Sequence, residues 1–457
     1  MVQAHRQFKR KFKLKYIEEK YPYVIKKNTA AGIDRVTKKT FEKYKETQFE
    51  TIVSKSMSGN YKYTYYKEKL ILKNRSSFPR LISIPTIRDR MVLKLLHEIL
   101  MDVYEIKLDL VQTVISKFIN KAKSYDSYIK IDISNFFGSL DHTYLMSCIK
   151  EKIKKPELLK LIEDAITNPT VNQGYRKDTK VEKPDKGVPQ GVPIANVLAE
   201  IYFKKLDNKY KCQENLAYFR YVDDILILCK EDDLLSIKEN IINDLTNKKT
   251  FNLKINTDKT KDGLISDGLS YLGYSFTKDS NNKIVCNVKK DSLLKLENSI
   301  IALFSKYENS QHKMKLNELI FYLNLKITGA IVESEDGRNK KYGWLFFYSQ
   351  INDITKLYHL DEFIKKLLVK YKIDFVDVKK ELKSFVKAYY EITQRRMKSN
   401  YLYKPSKLTT EEKRNILKNT FSIHSNELIK DGSVDYLFYK KVYKKIYELE
   451  MDIQDAY

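Results

Sequence analysis

The sequence has few cysteines and no long apolar run. Its four cysteines, among 457 residues, occur without Cys-x-x-Cys spacing. This scarcity argues against a zinc site and a disulfide framework, and it favours a reducing compartment. No apolar stretch approaches the length of a membrane-spanning helix, and the basic start MVQAHRQFKRKFKLK lacks the apolar core of a signal peptide. These absences predict a soluble, cytoplasmic protein without a membrane partner.

Proline is almost absent from the second half of the chain. Of its nine prolines, only Pro405 follows Ile194. Because proline interrupts helices, this half can carry long ones. Apolar residues at three- and four-residue spacing predict helices over Asp291–Glu308, Met314–Lys326 and Leu360–Tyr371. Residues 286–457 are therefore expected to be all-helical.

Residues 1–285 alternate short β-rich runs with helical ones, which predicts an α+β region. The predicted strands are Tyr128–Ile133, Ala217–Val222, Ile225–Cys229, Phe251–Ile255 and Leu269–Phe276. The predicted helices are Arg88–Tyr104, Thr143–Lys155, Pro156–Thr167 and Ile194–Asp207. No linker of biased composition separates this region from the helical one.

Basic residues greatly outnumber acidic ones. With 85 Lys and Arg against 59 Asp and Glu, the formal net charge is +26 and the pI is near 9.4. Such an excess favours a polyanionic partner, and nucleic acid ahead of a membrane surface. The 34 tyrosines and 21 phenylalanines add rings that could stack on bases, although most belong to a core. A well-solvated basic surface without a partner is the alternative.

Two adjacent carboxylates, Asp223 and Asp224, interrupt an apolar run. Acidic residues are poor strand formers, so a tight hairpin with the pair at its tip is expected. Such a turn can direct both carboxylates at one hard divalent cation, usually Mg²⁺. A polar turn between two buried strands is the alternative. Asp132, at the end of another predicted strand, supplies the second acidic source that a two-metal phosphoryl-transfer site requires.

With these motifs in this order, the sequence resembles reverse transcriptases. The resemblance implies right-hand polymerase fingers and palm over residues 1–285, then an all-α thumb and helical C-terminal region over residues 286–457. Asp132, Asp223 and Asp224 match the family's catalytic, metal-binding aspartates. Two Mg²⁺ ions, with Mn²⁺ as a substitute, are implied as cofactors.

The same resemblance implies a nucleotide pocket. Phe137 matches the gate that excludes a ribose 2′-hydroxyl, and Gln190 lies in a Pro-Gln-Gly motif that approaches the nucleotide. Lys73 and Arg80 match residues that contact the incoming triphosphate. Lys259 matches a lysine that is a candidate proton donor to the departing pyrophosphate. The implied partners are an RNA template, a DNA product and dNTPs.

Several departures narrow the type of reverse transcriptase. No Cys/His-containing endonuclease region of the group II intron kind occurs, and the Asn-Ala-x-x-His motif of retron enzymes is absent. Lys326–Gly329 only loosely matches the retron thumb motif. The segment Gly343–Asp361 resembles standalone bacterial defence enzymes of the abortive-infection and unknown groups. Helix core around Trp344 is the alternative interpretation of that segment.

The expected function is therefore an antiphage reverse transcriptase. It would copy a dedicated non-coding RNA, or it would extend a tyrosyl hydroxyl without a template. The candidate acceptors in the tail are Tyr358, Tyr389, Tyr390, Tyr401 and Tyr403. The alternatives are an RNA-binding oligomeric scaffold or sensor in which DNA synthesis is secondary, and a retron or group II intron type of enzyme. Homo-oligomerisation stays open.

Overall fold

The chain forms two compact units. The computed structural model describes residues 2–26, 29–72, 79–176, 181–309, 314–334, 337–395 and 399–453. The N-terminal unit consists of Met1–Asp109 and Tyr125–Leu264, and the C-terminal unit consists of Leu110–Ser124 and Ile265–Tyr457. The division after Leu264 precedes the expected boundary near residue 285.

The segment Leu110–Ser124 groups with the C-terminal unit, although the sequence places it inside the N-terminal region. The Phe118 ring lies 4.3 Å from the Phe276 ring, centroid to centroid. The Gln112 side-chain amide donates hydrogen bonds to the carbonyl oxygens of Phe346 and Phe347, at 3.3 and 3.1 Å. These contacts join residues far apart in the chain, so local sequence patterns do not reveal them.

α-Helices are the main element type among the described residues, and none of them is both long and apolar enough to cross a membrane. They are α1 (Val2–Lys11), α2 (Leu14–Val24), α3 (Lys38–Glu42), α4 (Lys45–Met57), α5 (Ile87–Tyr104), α6 (Val111–Lys121), α7 (Phe136–Ser139), α8 (His142–Lys152), α9 (Pro156–Ile166), α10 (Ala195–Lys211), α11 (Leu234–Thr246), α12 (Lys290–Asn309), α13 (Leu316–Thr328), α14 (Trp344–Phe347), α15 (Thr355–Lys370), α16 (Phe375–Val378), α17 (Phe385–Tyr390), α18 (Thr410–Asn419), α19 (Asp431–Phe438) and α20 (Lys444–Glu448).

The strands form four small sheets in the described part of the chain. They are β1 (Tyr66–Ile71), β2 (Arg80–Ile84), β3 (Ser127–Ile131), β4 (Thr170–Val171), β5 (Leu216–Tyr221), β6 (Asp224–Cys229), β7 (Lys261–Leu264), β8 (Leu269–Tyr271), β9 (Tyr274–Lys278), β10 (Ile284–Val288), β11 (Ala330–Glu333) and β12 (Asn339–Tyr342). The mixed α+β fold with antiparallel sheets is confirmed.

The central sheet of the N-terminal unit has the order β5-β6-β3-β7, with every pair antiparallel. Side chains alternate between the two faces of a strand, so Ile129 and Ile131 face the same way as Ile225 and Ile227. All four are fully buried in one core cluster. α10 packs against β5 and α11 against β3, and both helices contribute to that cluster. Leu226 and Leu228, on the opposite face of β6, are fully buried as well, so both faces of the sheet are covered along this strand.

A second sheet, β2-β1-β4, lies in the same unit beside the buried helix α5. The first turn of the helix contains Asp89, which is fully buried. Its carboxylate accepts hydrogen bonds from the Tyr61 hydroxyl at 2.6 Å, the Thr86 hydroxyl at 2.7 Å and the Thr64 backbone N–H at 3.0 Å. Burial raises the pKa of Asp89 despite these hydrogen bonds. The network satisfies a carboxylate that would otherwise be costly to bury.

The C-terminal unit contains the expected helices but is not all-helical. α12, α13 and α15 confirm the three helices predicted there. Between α13 and α14, however, β11 and β12 form an antiparallel hairpin. Two glycines meet at its base, because a Cβ on Gly343 would lie 2.6 Å from the Gly329 Cα. The β-branched pair Ile331 and Val332 favours this local strand.

Two predicted strands differ in the structure. Leu269–Phe276 is a hairpin, β8 and β9, because Leu272 and Gly273 both adopt positive φ, as a two-residue hairpin turn requires. Phe251–Ile255 is not a strand. Asn252 has φ of 48°, which interrupts an extended backbone, and only Ile255 forms a single bridge, to Ile133.

Candidate active site

The Tyr221–Asp224 segment forms the expected hairpin. β5 and β6 pair from Leu216 opposite Cys229 to Tyr221 opposite Asp224, which leaves Val222 and Asp223 as the two-residue turn. Val222 has φ of 57°, a conformation that a β-branched residue adopts only under strain. Strained residues of this kind cluster at functional sites, where the surrounding structure holds them. Burial, together with the charge of Glu200, raises the pKa of the Tyr221 hydroxyl.

Asp132 lies beside the hairpin. β3 and β6 pair up to Ile131 opposite Ile225, and the next positions along the two strands are Asp132 and Asp224. Since Ile131 and Ile225 face the core, these aspartates belong to the opposite face of the sheet. Like charges directly across a ladder repel each other. A cation at this end of the sheet would relieve that repulsion.

The carboxylates do not form a closed ion cage. Among the described residues, no three His, Cys, Asp or Glu side chains converge closely enough to hold a metal ion by themselves. This arrangement still fits Mg²⁺, which proteins often bind through one or two carboxylates together with substrate phosphates. Asp132, Asp223 and Asp224 are hard oxygen donors at one end of one sheet. They would hold a metal only together with groups that a substrate supplies.

The Lys259 segment runs alongside Asp132. The Asp132 backbone N–H donates to the Thr260 hydroxyl at 3.3 Å, and the Asn256 N–H donates to the Asp132 carbonyl oxygen at 2.8 Å. Ser134 N–H donates to the Lys254 carbonyl oxygen at 2.9 Å. The backbone on both sides of Asp132 is thus fixed by this segment. Lys259 itself is exposed.

Gln190 lies in a loop that is fixed to β2. The Ser83 backbone N–H donates to the Gln190 carbonyl oxygen at 2.7 Å. Gly191 has φ of 91°, and a Cβ there would lie 2.6 Å from Cγ2 of Ile82. Only glycine allows this approach without strain or displacement. The loop is therefore held against the strand that begins with Arg80.

The other side of the same loop packs against α7, which carries Phe137. The Val188 N–H donates to the Phe137 carbonyl oxygen at 2.7 Å. Gly187, with φ of 88°, approaches Gly138 so closely that a Cβ would lie 3.0 Å from the Gly138 Cα. The Phe137 ring is half-buried beside Phe136, with centroids 5.0 Å apart. Phe137 and Gln190 are thus brought together by backbone contacts.

Of the two basic residues expected at the triphosphate, Arg80 and Lys73, only Arg80 belongs to the described residues. Arg80 is exposed at the start of β2, opposite Ile71 of β1. Lys73 lies outside the described residues. The N-terminal unit therefore contains seven of the eight expected site residues at described positions, and β2, the Gln190 loop and α7 form one continuous contact.

Arg220 is a residue that the motifs did not single out. It immediately precedes Tyr221, and its side chain is only 2% exposed. The signal was present in the sequence, because an arginine within the apolar strand Leu216–Tyr221 needs buried acidic partners. Those partners, Glu200 and Asp207, are on α10.

Part of the chain is similar to known proteins. Residues 71–276 match the reverse transcriptase (RNA-dependent DNA polymerase) family. The Lactococcus lactis group II intron-encoded protein LtrA is 24% identical over 203 residues, which cover 42% of this chain and 33% of that protein. The chain thus spans about a third of the length of this relative. Protein YkfC of Escherichia coli is 20% identical over 328 residues, covering 60% of this chain and 84% of YkfC.

A solved structure also aligns over much of the chain. Telomerase from Candida albicans, in complex with a TWJ fragment of telomeric RNA, covers 91% of this chain and 68% of its own, with 14% identity and a TM-score of 0.43.

Proposed function

We propose that this chain, whose residues 71–276 form a reverse transcriptase domain distantly similar to group II intron-encoded proteins, is an RNA-directed DNA polymerase. It would add deoxynucleotides from dNTPs to a 3′-hydroxyl. The observation that carries the proposal is the position of Asp132 beside the strained hairpin that presents Asp223 and Asp224. This is a nucleotidyl transfer, in which the 3′-oxygen forms a bond to the α-phosphorus as the bond to pyrophosphate breaks.

The three aspartates would hold two Mg²⁺ ions, for which Mn²⁺ could substitute. Bound there, the ions would stabilise the charge that develops on the attacking and leaving oxygens. The chain itself supplies the fixed positions: β3 and β6 hold the aspartates, and hydrogen bonds to Asn256 and Thr260 lock the backbone of Asp132.

Other residues of the N-terminal unit would recognise the nucleotide. The Arg80 guanidinium, with Lys73, would contact the triphosphate, because arginine suits bidentate phosphate contacts. The Phe137 ring would exclude a ribose 2′-hydroxyl, and the Gln190 side chain would hydrogen-bond within the pocket. Lys259, exposed in the segment whose Asn256 and Thr260 hydrogen-bond to Asp132, would donate a proton to the departing pyrophosphate.

The proposal is tested by incorporation of labelled dNTPs on an RNA template with a DNA primer. Asp223→Asn/Asp224→Asn should abolish incorporation. The matched control is Asp232→Asn/Asp233→Asn, a second acidic pair just beyond β6 that lies outside the hairpin. Equal incorporation by wild type and by the Asp223/Asp224 variant would refute the proposal.

An RNA template is supported by the net charge of +26. If phosphate contacts dominate, RNA affinity should fall about 10³-fold or more between about 50 and 200 mM salt. A filter-binding titration at several salt concentrations measures this. An affinity that hardly changes would indicate recognition by shape and stacking.

A finer proposal is antiphage defence, with a dedicated non-coding RNA as template or a tyrosine as primer. The resemblance of Gly343–Asp361 to standalone defence enzymes supports it. Trp344, however, is buried, as helix core would also require. Synthesis-deficient Asp223→Asn/Asp224→Asn cells that still resist phage would instead favour the RNA-binding scaffold.

The structure separates the candidate tyrosine primers by access. Tyr358 and Tyr390 are 55% and 47% exposed. The Tyr389 hydroxyl donates to the Ile351 carbonyl oxygen, and the Tyr401 hydroxyl accepts from the Ser384 N–H at 2.8 Å. Burial raises the pKa of Tyr403 above its ordinary value.

Protein priming would therefore use Tyr358 or Tyr390. Labelled dNTP should then stay covalently attached to the protein after nuclease treatment, and Tyr358→Phe/Tyr390→Phe should remove the attached label. Tyr389→Phe is the matched control. Product that carries no peptide after proteolysis would exclude this route.

A further inference from the structure

Arg220 uses every hydrogen-bond donor of its guanidinium in a buried network. Nε donates to Asp207 Oδ1 at 2.8 Å, and Nη2 donates to Asp207 Oδ2 and Glu200 Oε2 at 2.6 and 2.7 Å. Nη1 donates to Glu200 Oε1 at 3.0 Å and to the Val222 carbonyl oxygen at 2.9 Å. A guanidinium has five N–H groups, so none is left over.

The partners come from a single helix face. Glu200, Phe203 and Asp207 follow one another on α10 at helical spacing, and the Arg220 guanidinium lies 4.9 Å from the Phe203 ring centroid. Burial alone would lower the pKa of Arg220, but hydrogen bonds and charges from Asp207 and Glu200 raise it well above its ordinary value. The guanidinium is therefore fixed in place and permanently charged.

The fifth donor reaches the turn of the hairpin, which carries Asp223. Val222, whose carbonyl oxygen accepts this bond, is the residue held at φ of 57°. Left alone, a valine would leave that conformation, because its Cβ clashes with the backbone there. The next residue is Asp223. A change in the Val222 peptide plane would therefore redirect the Asp223 carboxylate.

We propose that Arg220 is a positioning residue for nucleotidyl transfer: it holds the strained Val222 peptide and thereby directs Asp223. This inference rests on the proposed polymerase function. It assigns Arg220 a role besides neutralising Glu200 and Asp207. An arginine with only a structural role would neutralise the two acids, and the conformation of the Val222 turn would not depend on it.

Arg220→Lys separates these roles. Lysine keeps the positive charge beside Glu200 and Asp207 but offers three donors in place of five, without the planar fork. We expect kcat to fall about 10- to 100-fold, the equivalent of one charge-assisted hydrogen bond, with KM for dNTP little changed. Lys209→Met, which removes an exposed ion pair to Asp244 from the same helix, is the matched control.

A second substitution provides the sharper test. Glycine adopts positive φ without strain, so Val222→Gly should hold the turn in place without the arginine. In the Arg220→Lys background, Val222→Gly should recover most of the lost kcat. If Arg220 served only to neutralise buried acids, Val222→Gly would recover nothing, whereas Asp207→Asn would. That pattern would overturn the inference.

A measurement independent of activity completes the test. A crystal structure of Arg220→Lys should show Val222 at negative φ and a displaced Asp223 carboxylate. Val222 still near 57° with Asp223 unmoved would refute the inference, whatever the kinetics. A wild-type protein that never incorporates dNTPs would refute the proposed function instead, and the crystal structure would still decide the role of Arg220.

Discussion

Replacement of Gly191 by alanine tests whether the Gln190 loop must contact β2 for nucleotide binding. Two effects oppose the new methyl group. At φ of 91°, an alanine is strained by roughly 1–2 kcal/mol, and its Cβ would lie 2.6 Å from Ile82 Cγ2. Overpacking of this kind typically costs about 1–3 kcal/mol.

Movement of the loop away from β2 would relieve the clash. That movement would break the 2.7 Å hydrogen bond from Ser83 N–H to the Gln190 carbonyl oxygen, worth about 0.5–1.5 kcal/mol. Because this loop also contacts Phe137, the proposed nucleotide pocket would open. We therefore expect Gly191→Ala to lower kcat/KM for dNTP about 10- to 30-fold, mainly through KM.

Steady-state incorporation on a fixed template and primer measures this loss. Gly174→Ala is the matched control, because Gly174 lies in the same unit and its nearest neighbour, Asn172 Oδ1, would be 3.5 Å from a Cβ. When Ile82→Ala is combined with Gly191→Ala, the share of the lost kcat/KM that is due to the clash should be recovered. The share that is due to the strained φ of the alanine should remain lost. If Gly191→Ala matches Gly174→Ala in KM and thermal stability, the contact is unimportant.

Three further predictions concern other parts of the chain. Phe137→Ala should raise the incorporation of rNTP relative to dNTP about tenfold or more. Competition assays measure this ratio, and an unchanged ratio would exclude the Phe137 ring as the gate against a ribose 2′-hydroxyl. Cys212, which is exposed, should be alkylated at pH 8 in the native protein. Cys286 should react only after denaturation, because burial raises its pKa to about 12. Mass spectrometry measures the labelling, and equal labelling of the two cysteines in the native protein would contradict this prediction. Gly329→Ala should lower Tm by several degrees, because the new Cβ would lie too close to the Tyr342 carbonyl oxygen. Gly432→Ala should leave Tm unchanged, because a Cβ at Gly432 would meet no atom within 4 Å. Calorimetry on the two variants and the wild type measures the difference in Tm.

The hairpin at Asp223 could be predicted because its determinants are local. Two apolar strands separated by two residues leave little choice of pairing, and the structure has Tyr221 opposite Asp224. Helices with regular apolar spacing, such as α5 and α10, were predictable for the same reason. The strand predicted at Phe251–Ile255 was wrong because a single residue, Asn252, turns the backbone to positive φ.

Contacts between distant segments were not predictable from these patterns. The Gln190 loop is identifiable as a motif, but its hydrogen bond to Ser83 joins residues more than a hundred positions apart. The grouping of Leu110–Ser124 with the C-terminal unit depends likewise on Phe276, Phe346 and Phe347. Periodicity reports which face of an element is apolar, not which element covers it.

Arg220 shows how the two kinds of information combine. A lone arginine in a buried strand implies acidic partners, yet nothing in the strand says that they are Glu200 and Asp207, or that a fifth donor is left for Val222. Because a valine in the left-handed region is strained, its turn needs the support of the Arg220 side chain, which acids outside the hairpin fix in place. The residues proposed to perform the chemistry are thus identifiable from short motifs, whereas the acids that fix Arg220 beside them come from α10. A substitution on that helix can therefore change the position of Asp223 without touching the motif that contains it.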